Sequence, residues 1–259
     1  MLNFIEDIAK EAGKFLLNNF GSLNESDILN KEGLHNYVTK IDKECEKIIL
    51  NRIEKAYPEH SIYGEEYGQQ DKGSDYTWFI DPLDGTTNYI HCHPFFCVSI
   101  ALSYKGEIIA GVINAPYLGE VFKAEKGQGA YLNNNKISVS KCDKLEEALL
   151  STGFACLRKN PNSPNPAIFH KILKLTSDIR REGSAALNLA YVAAGRNDGF
   201  WEFGLEAFDV AAGTIICKEA GAIVTDIMKN DDYIFGKNII ATCKGIYDSL
   251  IQQLQIGKD

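Results

Sequence analysis

Apolar residues at Phe4, Ile5, Ile8, Ala12, Phe15 and Leu16 recur every three or four positions, which predicts an amphipathic helix over residues 3–20. The following stretch, 21–37, is polar and irregular and reads as a loop, with Gly21, Gly33 and several asparagines. Helical spacing returns from Asp42 to Ala56, with Ile48, Ile49 and Ile53 on the apolar side, and Pro58 stops it. The segment "SIYGEE" predicts a short strand ending at Gly64.

Strand signals dominate the next stretch. "FFCVSIALSY" and "EIIAGVINAP" flank Lys105-Gly106 and predict a hairpin. "EVFKAEK", "GAYL" and "KISVS" extend the antiparallel pattern, with a turn at Asn133-Asn134-Asn135. Beyond that point strands and helices alternate. "ALLSTGF", "GFWEF", "AIVTD" and "NIIATC" read as strands. "SPNPAIFHKILKLTSDI" reads as a loop leading into a helix, and "SAALNLAYVAAG" as a helix capped by Ser184 and stopped at Gly195. "FDVAAGTIICKEAG" is a further helix, and a last one closes the chain. The change of texture divides the chain into an α+β half, 1–145, and an α/β half, 146–259, joined in one layered α/β unit.

Composition narrows the function. The chain has 259 residues, a net charge of −8 and a pI near 5.2. An acidic surface repels phosphate backbones, so direct nucleic-acid binding is not expected. Seven scattered cysteines without a C-x-x-C pair suit reduced thiols. The N-terminal segment lacks the basic start of a signal peptide, and no run reaches the roughly 18 apolar residues of a spanning helix. A cytoplasmic protein without membrane contact is the expectation.

The candidate chemistry lies in carboxylates at strand ends and helix starts. Glu65 and Glu66 follow "SIYG", Asp81 and Asp84 follow "WFI", Asp42 opens the second helix, and Asp209 opens the helix "DVAAG". Asp81 and Asp84 can converge across the Pro-Leu turn. Held together without a cation they would repel, and one would protonate. Hard oxygen ligands suit Mg²⁺, or Mn²⁺, rather than zinc. Next, "GTTN" supplies Gly85, where a backbone can approach a ligand closely. Free N–H groups at Gly85 and Thr86 suit a phosphate, and the Thr86 hydroxyl can orient a water. The plain alternatives are an Asp-rich turn for "DPLDG" and a helix cap for Asp209. His91-Cys92-His93 reads as a loop-to-strand segment, because alternation separates Cys92 from the two histidines.

Three ordered blocks carry a resemblance. "GEE" (64–66), "WFIDPLDGTTN" (78–88) and "WEFGLEAFDVAAG" (201–213) are similar to the signatures of the inositol monophosphatase family, and "VTKID" and "REGSAAL" add to the match. The resemblance spans nearly the whole chain. It implies a five-layered αβαβα sugar-phosphatase fold and a Mg²⁺-dependent, lithium-sensitive phosphate monoester hydrolase, most simply an inositol-1-monophosphatase. It implies metal ligands at Glu65, Asp81, Asp84, Asp209 and the Leu83 carbonyl, for two or three ions. Catalytic roles fall to Glu65, Thr86 and Asp42, with Asp42 and Thr86 helping to activate water. Substrate contacts fall to Asp84, Gly85, Thr86, Gly183, Ser184, Ala185, Glu202 and Asp209. Lys31 would add positive charge near the site. A homodimer and a small phosphorylated polyol or sugar substrate are also implied.

Substrate choice stays open at this point. Related enzymes take fructose 1,6-bisphosphate or NADP, and "GTTN" counts against the nucleotide 3′-phosphatase branch. Glu206 and Phe208 would line the mouth of the site. Glu202 would accept hydrogen bonds from a polyol, its plain alternative being an exposed strand residue. Arg180-Arg181 reads as a subunit contact or a local ion pair. A different class of function is a protein-binding regulatory role in RNA processing or transcription, because the family contains a bacterial member with such a role.

Overall fold

The computed structural model describes residues 1–30 and 37–255. The first apolar stripe forms α1 (Leu2–Asn19), with Ile5, Ile8, Ala12 and Leu16 buried. The loop expected over 21–37 contains two short strands, β1 (Ile28–Asn30) and β2 (Tyr37–Thr39), paired antiparallel. Three-residue strands are too short for alternation to reveal them. Helix α2 (Lys40–Ala56) starts two residues before Asp42. Thr39 is its N-cap, and Asp42 is the N3 residue that closes a capping box, so Asp42 secures the helix start without opening it.

The first main sheet follows. Its members are β3 (Ser61–Gly64), β4 (Gln69–Gln70), β5 (Tyr76–Asp84), β6 (Cys97–Tyr104), β7 (Glu107–Ala115), β8 (Glu120–Glu125), β9 (Ala130–Leu132) and β10 (Asn135–Lys136). Among the described residues their order is β10-β9-β8-β7-β6-β5-β3-β4, with the expected β6–β7 hairpin at its centre. A short helix, α3 (Thr86–Ile90), follows β5. The strand expected over "KISVS" is cut to Asn135–Lys136. Ile137 and Val139 pack against the core, and the Val139 N–H bonds the Ala220 carbonyl, so this alternation reflects burial rather than sheet pairing.

The second sheet has the order β12-β11-β13-β15-β14, where β11 is Leu149–Thr152, β12 Asp178–Arg180, β13 Gly199–Phe203, β14 Ile223–Thr225 and β15 Asn238–Thr242. Its helices are α4 (Cys156–Lys159), α5 (Asn165–Ile172), α6 (Ala185–Ala193), α7 (Ala207–Glu219) and α8 (Tyr247–Leu254). Helix α5 stops at Ile172. The residues after it form the parallel edge strand β12 against β11, so "LTSDI" is not helical.

Three buried clusters define five layers. Residues of α1 and α2 pack with Trp78, Ile80, Val98, Ile100 and Val112 on one face of the first sheet. The other face, carrying Phe79, Ala101 and Ile113, packs with α6 and α7, and these meet Phe200, Ile239 and Ala241 of the second sheet. The outer face of the second sheet, with Leu150, Trp201 and Ile240, is covered by α5 and α8. The result is the αβαβα sandwich. Strict alternation in "WFI" decides the orientation, since Trp78 and Ile80 face the first helix layer and Phe79 the second. No helix among the described residues is long and apolar enough to cross a membrane.

Candidate active site

The end of β5 delivers two carboxylates to one side. In a regular strand, residues three apart point to opposite faces. Here the register against β6 shifts between Asp81 and Asp84, since Asp81 pairs with Ser99 and Asp84 with Cys97. One extra residue has been inserted, which is a β-bulge. Ile80 and Leu83 therefore both enter the α1/α2 core. The carboxylates of Asp81 and Asp84 are left on the α6/α7 side, and their charges act on each other there.

Each carboxylate is held by the backbone around it. Asp81 Oδ1 accepts the Leu83 N–H at 3.0 Å. Asp84 Oδ2 accepts the Ser184 hydroxyl at 2.6 Å and the Ala186 N–H at 2.7 Å, which ties β5 to the start of α6. The Ser184 hydroxyl also receives the Leu187 N–H, so it caps α6 as expected and positions Asp84 as well. Asp209 Oδ2 accepts the Glu206 N–H at 2.7 Å. The cap of α7 thus lies at Glu206, with Asp209 in its first turn. Glu65 follows β3, its N–H bonding the Ile80 carbonyl at 3.1 Å, and its side chain hydrogen-bonds Asp81.

Burial and mutual repulsion disfavour the ionised form of each of these carboxylates. Burial, then Glu65, Asp84 and Asp209, push Asp81 well above the usual carboxylate range. Burial, then Asp84, pushes Asp209 well above it, against the opposing bond from the Glu206 N–H. Burial raises Asp84 to about 6, although the Ser184 and Ala186 bonds pull it down. Among the described residues no three or more His, Cys, Asp or Glu side chains stand close enough together to hold a metal ion by themselves. Magnesium does not require an all-protein ligand set. It keeps waters and takes one or two carboxylates together with substrate phosphate oxygens. A set of buried oxygen donors that disfavour one another's charge fits that ion, and the donor set fits zinc poorly.

Beside the carboxylates lies a hydroxyl. Thr86 Oγ1 is 3.0 Å from Asp42 Oδ1 and 3.1 Å from the Leu83 carbonyl. Asp42 is fully buried and its other oxygen accepts the Thr39 N–H and hydroxyl. Burial raises Asp42 to about 6, against the Thr39 bonds. Gly85, at φ 97, precedes Thr86 and caps α3. A Cβ there would stand 2.9 Å from the Phe95 carbonyl, so only glycine can make this turn.

Glu202 lies on β13 and is buried, which overturns the exposed-strand alternative. Its Oε1 accepts the Ala155 N–H at 3.0 Å. Burial, then Asp84 after the opposing bond from Ala155, moves it to about 7. Glu202, Asp84, Asp209, Gly183 and Ala185 line one small cleft with Arg158 and Arg181. Phe208 lies beside Asp209, with its ring 6.0 Å from that of Tyr63, and Glu206 pairs with Lys237 at 3.2 Å. Arg180 pairs with Asp178, whereas Arg181 lines the cleft. His91, Cys92 and His93 are exposed. Lys31 lies outside the described residues. A larger cavity of about 540 Å³ sits at the far end of α7, where Lys126 pairs with Glu107 and Lys218 bonds Tyr233.

Sequence reasoning missed Glu46. It is fully buried, and its two oxygens accept the Glu66 N–H at 2.7 Å and the Tyr67 N–H at 3.1 Å. Its signal was available: it stands four residues after Asp42, hence on the same face of one helix. Gly64 is fixed by it, because a Cβ there would fall 2.1 Å from Glu46 Oε1. Cys45 completes the support, its thiol donating to the Pro82 carbonyl at 3.3 Å.

Comparison with known proteins places the chain in one family and fold. The model of the inositol monophosphatase family matches residues 1–258. "Nus factor SuhB" of Pseudomonas aeruginosa is 42% identical, covering 98% of this chain and 96% of that protein. "Inositol-1-monophosphatase" of Mesorhizobium japonicum is 37% identical over the same shares. The solved inositol monophosphatase from Anabaena superposes with a TM-score of 0.87 at 40% identity, covering 98% of this chain and 94% of that one. With its family model matched over nearly its whole length and its layers shared with solved relatives, the chain belongs to the inositol monophosphatase family.

Proposed function

We propose that the protein is a Mg²⁺-dependent phosphate monoester hydrolase whose substrate is a small phosphorylated polyol, with inositol 1-phosphate the first candidate. The observation that carries this reading is the meeting of Glu65, Asp81, Asp84 and Asp209 beside the Asp42–Thr86 pair. Those four carboxylates and the Leu83 carbonyl would hold magnesium, two or three ions, with manganese as a substitute. When bound, the metal supplies charge neutralisation on the phosphoryl oxygens and a lower pKa for water.

The chain's own residues do the rest. The Thr86 hydroxyl, steered by Asp42, holds the attacking water and relays its proton. A buried carboxyl poised at about 6 suits proton acceptance near neutral pH. Glu65 orients the same water from the other side. The N–H groups at Gly85 and Thr86 receive phosphate oxygens, as free donors at a helix start do. Glu202, Gly183 and Ala185 line the polyol, and Ser184 supports it through Asp84. Attack is in line with the leaving oxygen, a water protonates that oxygen, and no phosphoryl-enzyme is needed.

Two further parts of the reading are a homodimer and a cytoplasmic location. All seven cysteines are unpaired, as a reducing compartment would keep them. Phosphate release from inositol 1-phosphate, with and without Mg²⁺ and with added Li⁺, tests the reading. Full release after exhaustive chelation would defeat it. A second reading, as a protein-binding regulator, is favoured by the name "Nus factor SuhB" carried by relatives from Pseudomonas and Vibrio. Rescue of a deletion phenotype by a catalytically dead Asp81→Asn protein would select it.

A further inference from the structure

The cavity of about 540 Å³ lies apart from the carboxylates. Its walls are the β6–β7 turn, the last turns of α7 and the loop between β14 and β15. It shares no lining residue with the cleft that holds Asp84, Glu202 and Asp209. Asp209 and Lys218 stand near opposite ends of α7, separated by about 14 Å of helix. Hollows of this size are ordinary for small-molecule sites.

The charges along these walls are unevenly matched. Lys126 pairs with Glu107 at 2.5 Å. Glu219 accepts the Gly127 N–H on one oxygen and the Gly129 N–H on the other. Lys105 is loosely held, 3.7 Å from Asp75, with both side chains well exposed. Lys218 differs from the other two lysines. Its ammonium bonds the Tyr233 hydroxyl and lies 4.9 Å from the centre of that ring. It has no carboxylate partner among the described residues. The remaining acid of the cavity, Asp231, is exposed, so its repulsion of an anion is screened by water and salt.

Apolar surface lies in the same hollow as that ammonium. Ile215 of α7 lines it, and Ile108 and Ile234 are half-buried against the core. An apolar body laid on these isoleucines gains by leaving water. A charged head gains a charge-assisted bond from Lys218. We propose that this cavity is a second binding site, separate from the carboxylate centre, for a small organic anion with an apolar body. Its head sits on Lys218 and its body on the isoleucines. An ammonium is a point charge without a planar fork, so a carboxylate, a sulfonate or a phosphate serves equally as the head.

A matched pair of dyes tests it. The probe is 8-anilinonaphthalene-1-sulfonate, and the control is N-phenyl-1-naphthylamine, the same rings without the sulfonate. Fluorescence titration of the full chain should show one saturable site per chain for the sulfonate, at least tenfold tighter than for the control. Lys218→Met keeps the alkyl stem and removes the charge. It should weaken the sulfonate at least fivefold and leave the control as it was. Ile234→Ser should weaken both dyes. Thermal unfolding checks that each variant is folded, which the exposure of Lys218 favours. Equal affinity for the two dyes, or sulfonate binding unchanged in either variant, overturns the proposal. Displacement of the sulfonate by inorganic phosphate only when Mg²⁺ is present also overturns it, because the dye would then sit at the carboxylate centre. A changed oligomeric state in Ile234→Ser overturns it too and assigns this face to a contact between subunits. Binding is read here without turnover, so the result stands independently of the hydrolase reading.

Discussion

Asp42 and Glu46 stand one helical turn apart on α2, both fully buried, and each carboxylate holds a different arm of the candidate site. Asp42 receives the Thr86 hydroxyl just after β5, and Glu46 receives two N–H groups of the loop that begins at Glu65. Between them Cys45 donates to the Pro82 carbonyl. One helix face thus sets the separation between Glu65 and the Asp81–Asp84 turn, and rigid elements place such groups better than loops do.

Changing Glu46 should therefore loosen the site before it loosens the fold. In Glu46→Gln one of the two acceptor oxygens becomes an amide that faces an N–H. We expect the half-saturating Mg²⁺ concentration to rise at least fivefold while KM for substrate moves less. Magnesium titration by calorimetry, alongside thermal unfolding, checks this. A lower Tm with unchanged Mg²⁺ affinity would make Glu46 a structural brace only. Gly64→Ala should produce the same pattern, because its Cβ would displace the Glu46 carboxylate.

Asp81→Asn and Asp209→Asn should each lower turnover by orders of magnitude and raise the stability of the metal-free protein. Both carboxylates are buried among like charges that disfavour their ionised forms. Removing one charge relieves that repulsion, and a gain of about 1 kcal/mol would move Tm by roughly 2–4 °C in a chain of this size. Differential scanning calorimetry without Mg²⁺ reads the gain. A second scan with Mg²⁺ should show a smaller metal-induced rise in the variants than in the parent. A metal-free Tm that falls in both variants would contradict the account.

Much of this was legible beforehand, for identifiable reasons. The "WFI" alternation and the α1 stripe are periodic signals, and periodicity survives any tertiary context. Asp81, Asp84 and Asp209 stood out only as a set, because each alone also reads as a turn residue or a helix-start residue. The β1–β2 pair was invisible because strands of three residues each are too short for alternation to show. "KISVS" misled because a buried coil alternates like a strand. Glu46 was overlooked because its partners, the Glu66 and Tyr67 N–H groups, lie twenty residues away, and only the folded chain brings them together. Glu202 was placed in the site but not known to be buried, since burial of a lone acid has no sequence mark.

The Asp42–Thr86 pair should behave as one unit in catalysis. Thr86→Val removes the hydroxyl and keeps the branched shape, so kcat should fall about 100-fold or more with KM within a few-fold. Thr86→Ser should retain most activity. Adding Asp42→Asn to Thr86→Val should cost little further, because residues that act through one another are not additive. Steady-state kinetics on the two single variants and the double variant give the answer. Independent, multiplying losses would show that Asp42 acts on something other than Thr86.

Glu202 should give the protein a pH dependence of a definite sign. Its carboxyl is displaced from an ordinary 4.5 to about 7, chiefly by burial. Between those two values the folded protein binds more protons than the unfolded chain, so this group lowers stability as pH rises through that window. Glu202→Gln, which keeps an acceptor for the Ala155 N–H, should therefore gain stability relative to the parent at pH 8 and not at pH 4. Substrate binding should run the other way. The ionised carboxylate is the better acceptor for polyol hydroxyls, so KM should fall as pH rises through about 7 in the parent and stay flat in the Gln variant. Tm profiles of the metal-free proteins and KM profiles at saturating Mg²⁺ measure the two effects separately. Parallel Tm curves for parent and variant would mean that Glu202 is ionised across the range, and that the arginines of the cleft hold it so.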